Sequence, residues 1–200
     1  MKLLRITGDL PVSGKVRISG NKNAALPMIA AALLTDEPVI LRNMPDILDV
    51  RSMLEIAASF GATVDFKDNV ATICTPSLRS CEVSREACAN TRTSILFAAP
   101  LVARAGGAKL YPPGGDVIGR RRLDGHFYGL TKLGANANYG ATYDFSAPSG
   151  LRGCEMFLDE ASVTATEQIM IAAVTADGLT ILRNAASEPH VCDLAEMLNG

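Results

Sequence analysis

The chain repeats itself, and the repeat limits its fold more tightly than any other feature. Laid in register with Met28 on Ile169, MIAAALLTDEPVILRN falls without a gap on IMIAAVTADGLTILRN; further on, Asp49-Val50 lies on His190-Val191 and Glu55 on Glu196. A middle copy, ILFAAPLVARAGGAKLY from Ile95, leads to a helix followed by LGANANY from Leu133, which parallels FGATVDF from Phe60. Self-similarity at this scale is one supersecondary unit used several times. Each unit reads as helix, strand, helix, strand, strand, which predicts an α/β fold of three like units.

In the first unit KNAALPMIAAALL has helical spacing, with Asn21 or Ser19 as cap and Pro27 expected in the first turn, where a missing N–H is harmless. A strand at Val39 to Asn43, a helix from about Ile47 to Phe60, a Gly61 stop and paired strands over Ala62 to Phe66 and Val70 to Cys74 follow. Residues 3–6 (LLRI) and 12–18 (VSGKVRI) read as two short strands around a Gly8-Asp9 turn. They fit none of the units and are expected to pair with a segment outside this sequence. At the other end Gly200 falls in register on Ser59, before the Phe60-Gly61-Ala62 turn and the closing strands, so the third unit is expected to be truncated.

Composition excludes several functions. A net charge of −2 and a pI near 5.7 give no general drive towards nucleic acid or membrane, so any basic site is local. The apolar run around Ala24 to Leu34 is too short to span a bilayer, and the charged, alternating N-terminus does not read as a signal peptide. Cys74, Cys81, Cys88, Cys154 and Cys192 lack zinc-ligand spacing and read as buried or free thiols of a cytosolic protein.

The chemistry-bearing residues lie in one loop and at three helix heads. Tyr111 to His126, YPPGGDVIGRRRLDGH, is too broken for helix or strand and sets Asp116 beside Arg120, Arg121 and Arg122, as if for a phosphorylated ligand. Lys22-Asn23 opens the first repeat helix, where free N–H groups favour an anion; the alternative is a solvated lysine and a capping asparagine. Arg92 heads the second, working against the helix dipole unless an anion sits between. Ser162 to Glu167 heads the third, with Thr164 and Glu167 in capping-box spacing, and simple capping accounts for it. Arranged around a pseudo-threefold axis, the three heads converge into a multi-point anion pocket.

GNKNAALP from Gly20, PGGDVIGRRRLDGH, LGA at 133–135 and the NAASEPHV segment from Asn184 together resemble the enolpyruvyl transferases, specifically the UDP-N-acetylglucosamine 1-carboxyvinyltransferases. The resemblance runs along the whole chain and covers about the N-terminal half of a family member. It implies an inside-out α/β barrel domain of three βαβαββ repeats over residues 22–200, with 1–21 belonging to a second domain that is missing here. It also implies transfer of the enolpyruvyl group of phosphoenolpyruvate to the 3-hydroxyl of UDP-N-acetylglucosamine, releasing phosphate through a tetrahedral ketal, without metal or cofactor.

Position by position, the resemblance implies phosphoenolpyruvate binding by Lys22, Asn23 and Arg121. For the UDP-sugar it implies contacts from Arg92, from the segment Arg121, Arg122, Leu123, Asp124, Gly125 and from the segment Glu160, Ala161, Ser162, Val163. Asp116 stands where most members have a cysteine that protonates the methylene carbon of phosphoenolpyruvate or assists product release; some members carry aspartate there. Arg122 replaces a usual proline and Glu160 a lysine, changes that bear on side-chain rather than backbone contacts. The Asp116 carboxylate predicts resistance to fosfomycin, which alkylates the thiol. The missing domain would supply the deprotonating aspartate, so these residues alone are expected to be inactive. The alternatives are an inactive binding or regulatory fragment of the same fold, or the sister enzyme acting on shikimate 3-phosphate, which is expected to begin its first helix with Lys-Ser.

Overall fold

A computed structural model describes residues 3–9, 11–114 and 122–200. The first unit comprises α1 (Lys22–Ala31) with a 3-10 turn over Ala32–Leu34, then β1 (Val39–Leu41), α2 (Leu48–Ser59), β2 (Thr63–Lys67) and β3 (Val70–Cys74). The second comprises α3 (Arg85–Asn90), a 3-10 turn over Arg92–Phe97 that runs on into α4 (Ala98–Ala105), then β4 (Gly107–Leu110), α5 (Asp124–Lys132), β5 (Asn136–Tyr139) and β6 (Tyr143–Ser146). The third comprises β7 (Glu155–Phe157), α6 (Val163–Ala173), β8 (Ile181–Arg183) and α7 (Pro189–Asn199).

The two complete units share one antiparallel topology, in which the last strand lies between the other two: β1-β3-β2 and β4-β6-β5. In the third unit β7 and β8 pair in parallel across α6, so β7 is a leading strand, which the residue patterning of the unit lacked and the βαβαββ repeat implied by the resemblance includes. A single parallel bridge between Glu82 and Lys109 marks the same place in the second unit. The repeat register is exact enough to match backbone detail. The caps Asn21 and Ser162 occupy equivalent positions, and Asn43 and Asn184, closing the equivalent ILRN stretches, both take left-handed φ of 56° and 55°. Asparagine is one of the few side chains that tolerates that region, because its short amide bonds locally.

The helices are inside. In the centre α6 packs against both α1 and α4, α1 meets the 3-10 turn that leads into α4, and α2, α5 and α7 lie around them. Accordingly α1 and α6 bury nearly every side, including Leu26 and Ile29, and Ile169 and Ile171. A helix apolar all round belongs in a core, and its alanines allow close approach. Phe60, at the end of α2, meets Phe97 edge-on at 5.3 Å, which joins units one and two and contributes about 0.5–1.5 kcal/mol beyond burial. The Arg104 guanidinium, in the last turn of α4, donates to the carbonyls of Leu33 (2.9 Å), Thr35 (3.1 Å) and Thr75 (2.9 Å), so it terminates the α1 segment from the neighbouring unit.

Two expectations are corrected. Pro27 is the sixth residue of α1, not in its first turn, because the Asn21 carboxamide accepts the N–H of Asn23 and starts the helix at Lys22. Proline there has no N–H for the Asn23 carbonyl, and tight burial holds the helix together across the gap. The described residues of 3–18 form no strand. Leu3, Leu4, Ile6, Val12, Val16 and Ile18 are all more than 80% exposed. A strand exists only through its neighbour's hydrogen bonds, and among the described residues none is offered.

Candidate functional site

The N-terminal ends of the three inner helices open onto one cavity of about 560 Å³. Lys22 and Asn23 enter it from α1, Arg92 from the 3-10 turn before α4, and Val163 and Thr164 from α6. The convergence expected from the repeat is thus present, built by caps at equivalent places. Asn21 accepts from Asn23 N–H at 2.7 Å, and the Ser162 hydroxyl accepts from Ala165 N–H at 3.4 Å.

Second helices contribute as well. Asp49 in the first turn of α2 holds the Lys22 ammonium at 3.0 Å, and its repeat equivalent, His190 of α7, lies 4.0 Å from Glu167 of α6. Both pairs line the cavity, as does Glu188. The Glu167 carboxyl is pushed up to about 8, first by burial and then by the charge of Glu188, so it is largely protonated at neutral pH. The described lining therefore sets two cations, Lys22 and Arg92, against Asp49 and Glu188, and is close to charge balance. The repeat register already aligned Asp49 with His190, which was the signal for both; Glu167 gave none, since the sequence placed it in a capping box. The cap is Ser162, and Thr164 is bonded elsewhere.

Thr164 is bonded to His126, which α5 buries against α6. The imidazole Nδ1 lies 2.6 Å from Gln168 Oε1, its Nε2 lies 3.0 Å from Thr164 Oγ1, and Gln168 Nε2 donates to the Ile95 carbonyl at 2.9 Å. Burial, opposed by the Gln168 bond and aided by the Arg92 charge, holds His126 down at about 4. Gly125 and Gly129 make the approach possible: a methyl on Gly125 would stand 3.0 Å from Ala165 Cβ, and one on Gly129 only 2.2 Å from Ile169 Cγ1.

The remaining candidates are placed as follows. Arg122 bonds Asp124 at 2.7 Å and Asp159 at 3.1 Å, so its guanidinium is engaged, while its carbonyl accepts from Arg92 at 3.2 Å. Arg122, Leu123 and Asp124 line a separate surface depression with the aromatic group Phe127, Tyr139 and Tyr143, beside the cavity rather than in it. Glu160 and Ala161 are exposed, with the Glu160 carbonyl accepting from Ser162 N–H at 2.7 Å. Asp116 and Arg121 lie outside the described residues. The described backbone before them ends at Gly114, whose N–H donates to the Cys88 carbonyl at 2.8 Å and where a methyl would collide with the Ala89 carbonyl at 2.0 Å. Among the described residues no group of three or more His, Cys, Asp or Glu is placed to hold a metal, and no helix is long and apolar enough to cross a membrane.

The sequence pattern of the family described as EPSP synthase (3-phosphoshikimate 1-carboxyvinyltransferase) matches residues 6–200. The UDP-N-acetylglucosamine 1-carboxyvinyltransferase of Treponema pallidum is 56% identical over 200 residues, all of this chain and 47% of that protein. The protein of the same name from Bradyrhizobium diazoefficiens is 52% identical over 194 residues, 96% of this chain and 45% of its own. Among solved structures, the enolpyruvyl transferase NikO from Streptomyces tendae superposes with a TM-score of 0.79 at 23% identity, covering 94% of this chain and 44% of that one. An EPSP synthase from Acinetobacter baumannii reaches 0.70 at 17% identity, covering 89% and 42%. The chain spans about half the length of the curated relatives it matches.

Proposed function

The chain belongs to the EPSP synthase family, and from that premise we propose that it is the N-terminal part of an enzyme that transfers the enolpyruvyl group of phosphoenolpyruvate to the 3-hydroxyl of UDP-N-acetylglucosamine, for peptidoglycan synthesis in the cytoplasm. The observation that supports this reading best is the single cavity lined by Lys22, Asn23 and Arg92 from separate repeats. Identity to the UDP-sugar enzymes, at 56%, stands well above the 17% to the EPSP synthase structure and favours the UDP-sugar as acceptor.

In this reading the sugar hydroxyl adds to C2 of phosphoenolpyruvate while a proton goes to its methylene carbon. Phosphate then leaves the tetrahedral ketal as a methyl proton is withdrawn, restoring the vinyl group. Lys22, Asn23 and Arg121 hold phosphoenolpyruvate. Arg92 and the segments Arg121 to Gly125 and Glu160 to Val163 hold the UDP-sugar, the engaged Arg122 side chain acting through its backbone. Asp116 supplies the proton. A carboxyl near 3.9 is protonated in only about one molecule in a thousand at pH 7, so the role requires burial beside the substrate's phosphate and carboxylate to raise it against its arginine neighbours. A carboxylate is also a poor nucleophile for an epoxide, so the protein resists fosfomycin; an adduct on Asp116 seen by mass spectrometry would overturn that.

Residues 1–21 belong to a second domain, the missing partner of this chain, which also carries the deprotonating aspartate. The test is phosphate release from phosphoenolpyruvate. The chain joined to the C-terminal half of the Treponema pallidum relative should turn over with UDP-N-acetylglucosamine, lose activity on Lys22→Ala, and ignore shikimate 3-phosphate, while the chain alone should be silent. Turnover with shikimate 3-phosphate and none with the UDP-sugar would reverse the assignment.

A further inference from the structure

The bonds around His126 admit one arrangement of protons. The Ile95 carbonyl only accepts, so the Gln168 amide nitrogen faces it and the amide oxygen faces His126. A carbonyl oxygen cannot donate, so His126 Nδ1 carries the proton. The ring is neutral at pH 7, since burial holds it near 4, and Nε2 is therefore a bare acceptor. The group 3.0 Å from it, the Thr164 hydroxyl, must donate. Its proton is committed to His126, and only the oxygen's acceptor lone pairs remain for the cavity that Thr164 lines.

Thr164 also occupies the second position of α6, the repeat equivalent of Asn23 in α1, and both line the same cavity. An ordinary threonine hydroxyl rotates to suit its ligand and donates or accepts. This one, held by a buried chain running from Ile95 through Gln168 and His126, has a fixed polarity. Among the described cavity groups, Lys22 and Arg92 donate only, so a ligand's own donors are left to be met by acceptors.

We propose that Thr164 is a specificity-determining residue that accepts a hydrogen bond from a hydroxyl or acetamido N–H of the ligand's sugar, with His126 and Gln168 as the positioning residues that fix its polarity. This rests on the functional reading above, which supplies the sugar nucleotide. The nucleotide's own donors are not what Thr164 reads, because it shares its cavity with Lys22 and Asn23 at the reacting end, whereas Leu123 and Asp124 face the neighbouring depression.

Two measurements on this chain test it. With the imidazoles labelled with ¹⁵N, the ring of His126 at pH 7 should show a protonated Nδ1 and a bare Nε2; the opposite tautomer overturns the proposal. In NMR titrations, which register weak binding, Thr164→Val should weaken UDP-N-acetylglucosamine about five-fold, the loss of one neutral hydrogen bond. Thr164→Ser should stay within about two-fold, UDP alone should bind the wild type and Thr164→Val alike, and amide dispersion should report all of them folded. UDP-N-acetylglucosamine binding unchanged in Thr164→Val, or an equal loss for UDP, overturns the role of Thr164 and leaves the functional reading standing. Failure of the unsubstituted chain to bind the UDP-sugar overturns that reading and this inference with it.

Discussion

Replacing Gly129 with alanine tests the packing on which the His126 network depends. The added methyl would stand 2.2 Å from Ile169 Cγ1 and 2.5 Å from its Cδ1, where carbon atoms prefer about 3.5–4.0 Å. Ile169 cannot turn away cheaply, because a β-branched side chain in a helix has one strongly preferred rotamer and this one is buried. The alternative is for α5 and α6 to separate, which stretches the 2.6 Å bond between His126 and Gln168. Overpacking of this kind costs about 1–3 kcal/mol, and the intrinsic helical gain from glycine to alanine returns only about 0.8–1.0 of it. We expect a net loss of up to about 2 kcal/mol, or up to roughly 8 °C in Tm for a chain of this size. Ile169→Ala removes both clashing carbons at a cost of about 2–5 kcal/mol when made alone. In the double variant the new methyl occupies part of the space vacated, so the pair should cost at least 1 kcal/mol less than the sum of the singles. Urea unfolding followed by circular dichroism measures all three. A Gly129→Ala chain more stable than wild type, or strict additivity in the double, would refute the contact.

Arg104→Met keeps the apolar stem but leaves three carbonyls without their donor, and should cost about 2–3 kcal/mol in the same urea assay; a loss below 0.5 kcal/mol would mean that water replaces the guanidinium freely. Glu167, raised to about 8 from an ordinary 4.5, contributes stability that is complete below pH 4.5 and is lost as pH rises through 8, while His126, lowered to about 4 from 6.5, contributes stability present above pH 6.5 and lost as pH falls through 4. Of the two, only Glu167 acts above pH 6.5, so unfolding free energy should fall by roughly 1–2 kcal/mol between pH 6.5 and 8, and Glu167→Gln should flatten that limb; a limb unchanged in the variant would place its origin elsewhere. Asp49→Asn frees the Lys22 ammonium from a partly exposed pair worth at most about 1 kcal/mol, so stability should hardly move while inorganic phosphate binds a few-fold more tightly; weaker phosphate binding in an NMR titration would show that Asp49 aids the anion rather than competing with it.

Local chemistry explains what was legible in advance. Asn21 and Ser162 cap their helices through bonds that span two or three residues, and the left-handed Asn43 and Asn184 follow from the side chain's own tolerance; such effects are written in a short window of sequence. Pro27 was misplaced because its cost is normally prohibitive in a helix interior, and only burial on every side makes it bearable. The strands expected over residues 3–6 and 12–18 failed for the opposite reason: alternation marks a segment able to pair but supplies no partner.

By itself the sequence determined the repeating unit, the capped helix heads and the placing of Lys22, Asn23 and Arg92 at them, because periodicity and capping act between near neighbours. Tertiary structure decided which of those heads share a cavity and which side chains meet there. Thr164 with His126, Gln168 with Ile95 and Glu167 with His190 are joined by the close approach of helical segments, allowed for the first pair by two glycines of α5, and each pair lies more than 20 residues apart in the chain. Propensity could assign Thr164 a capping role. Only the approach of a buried imidazole from another unit gave its hydroxyl a direction.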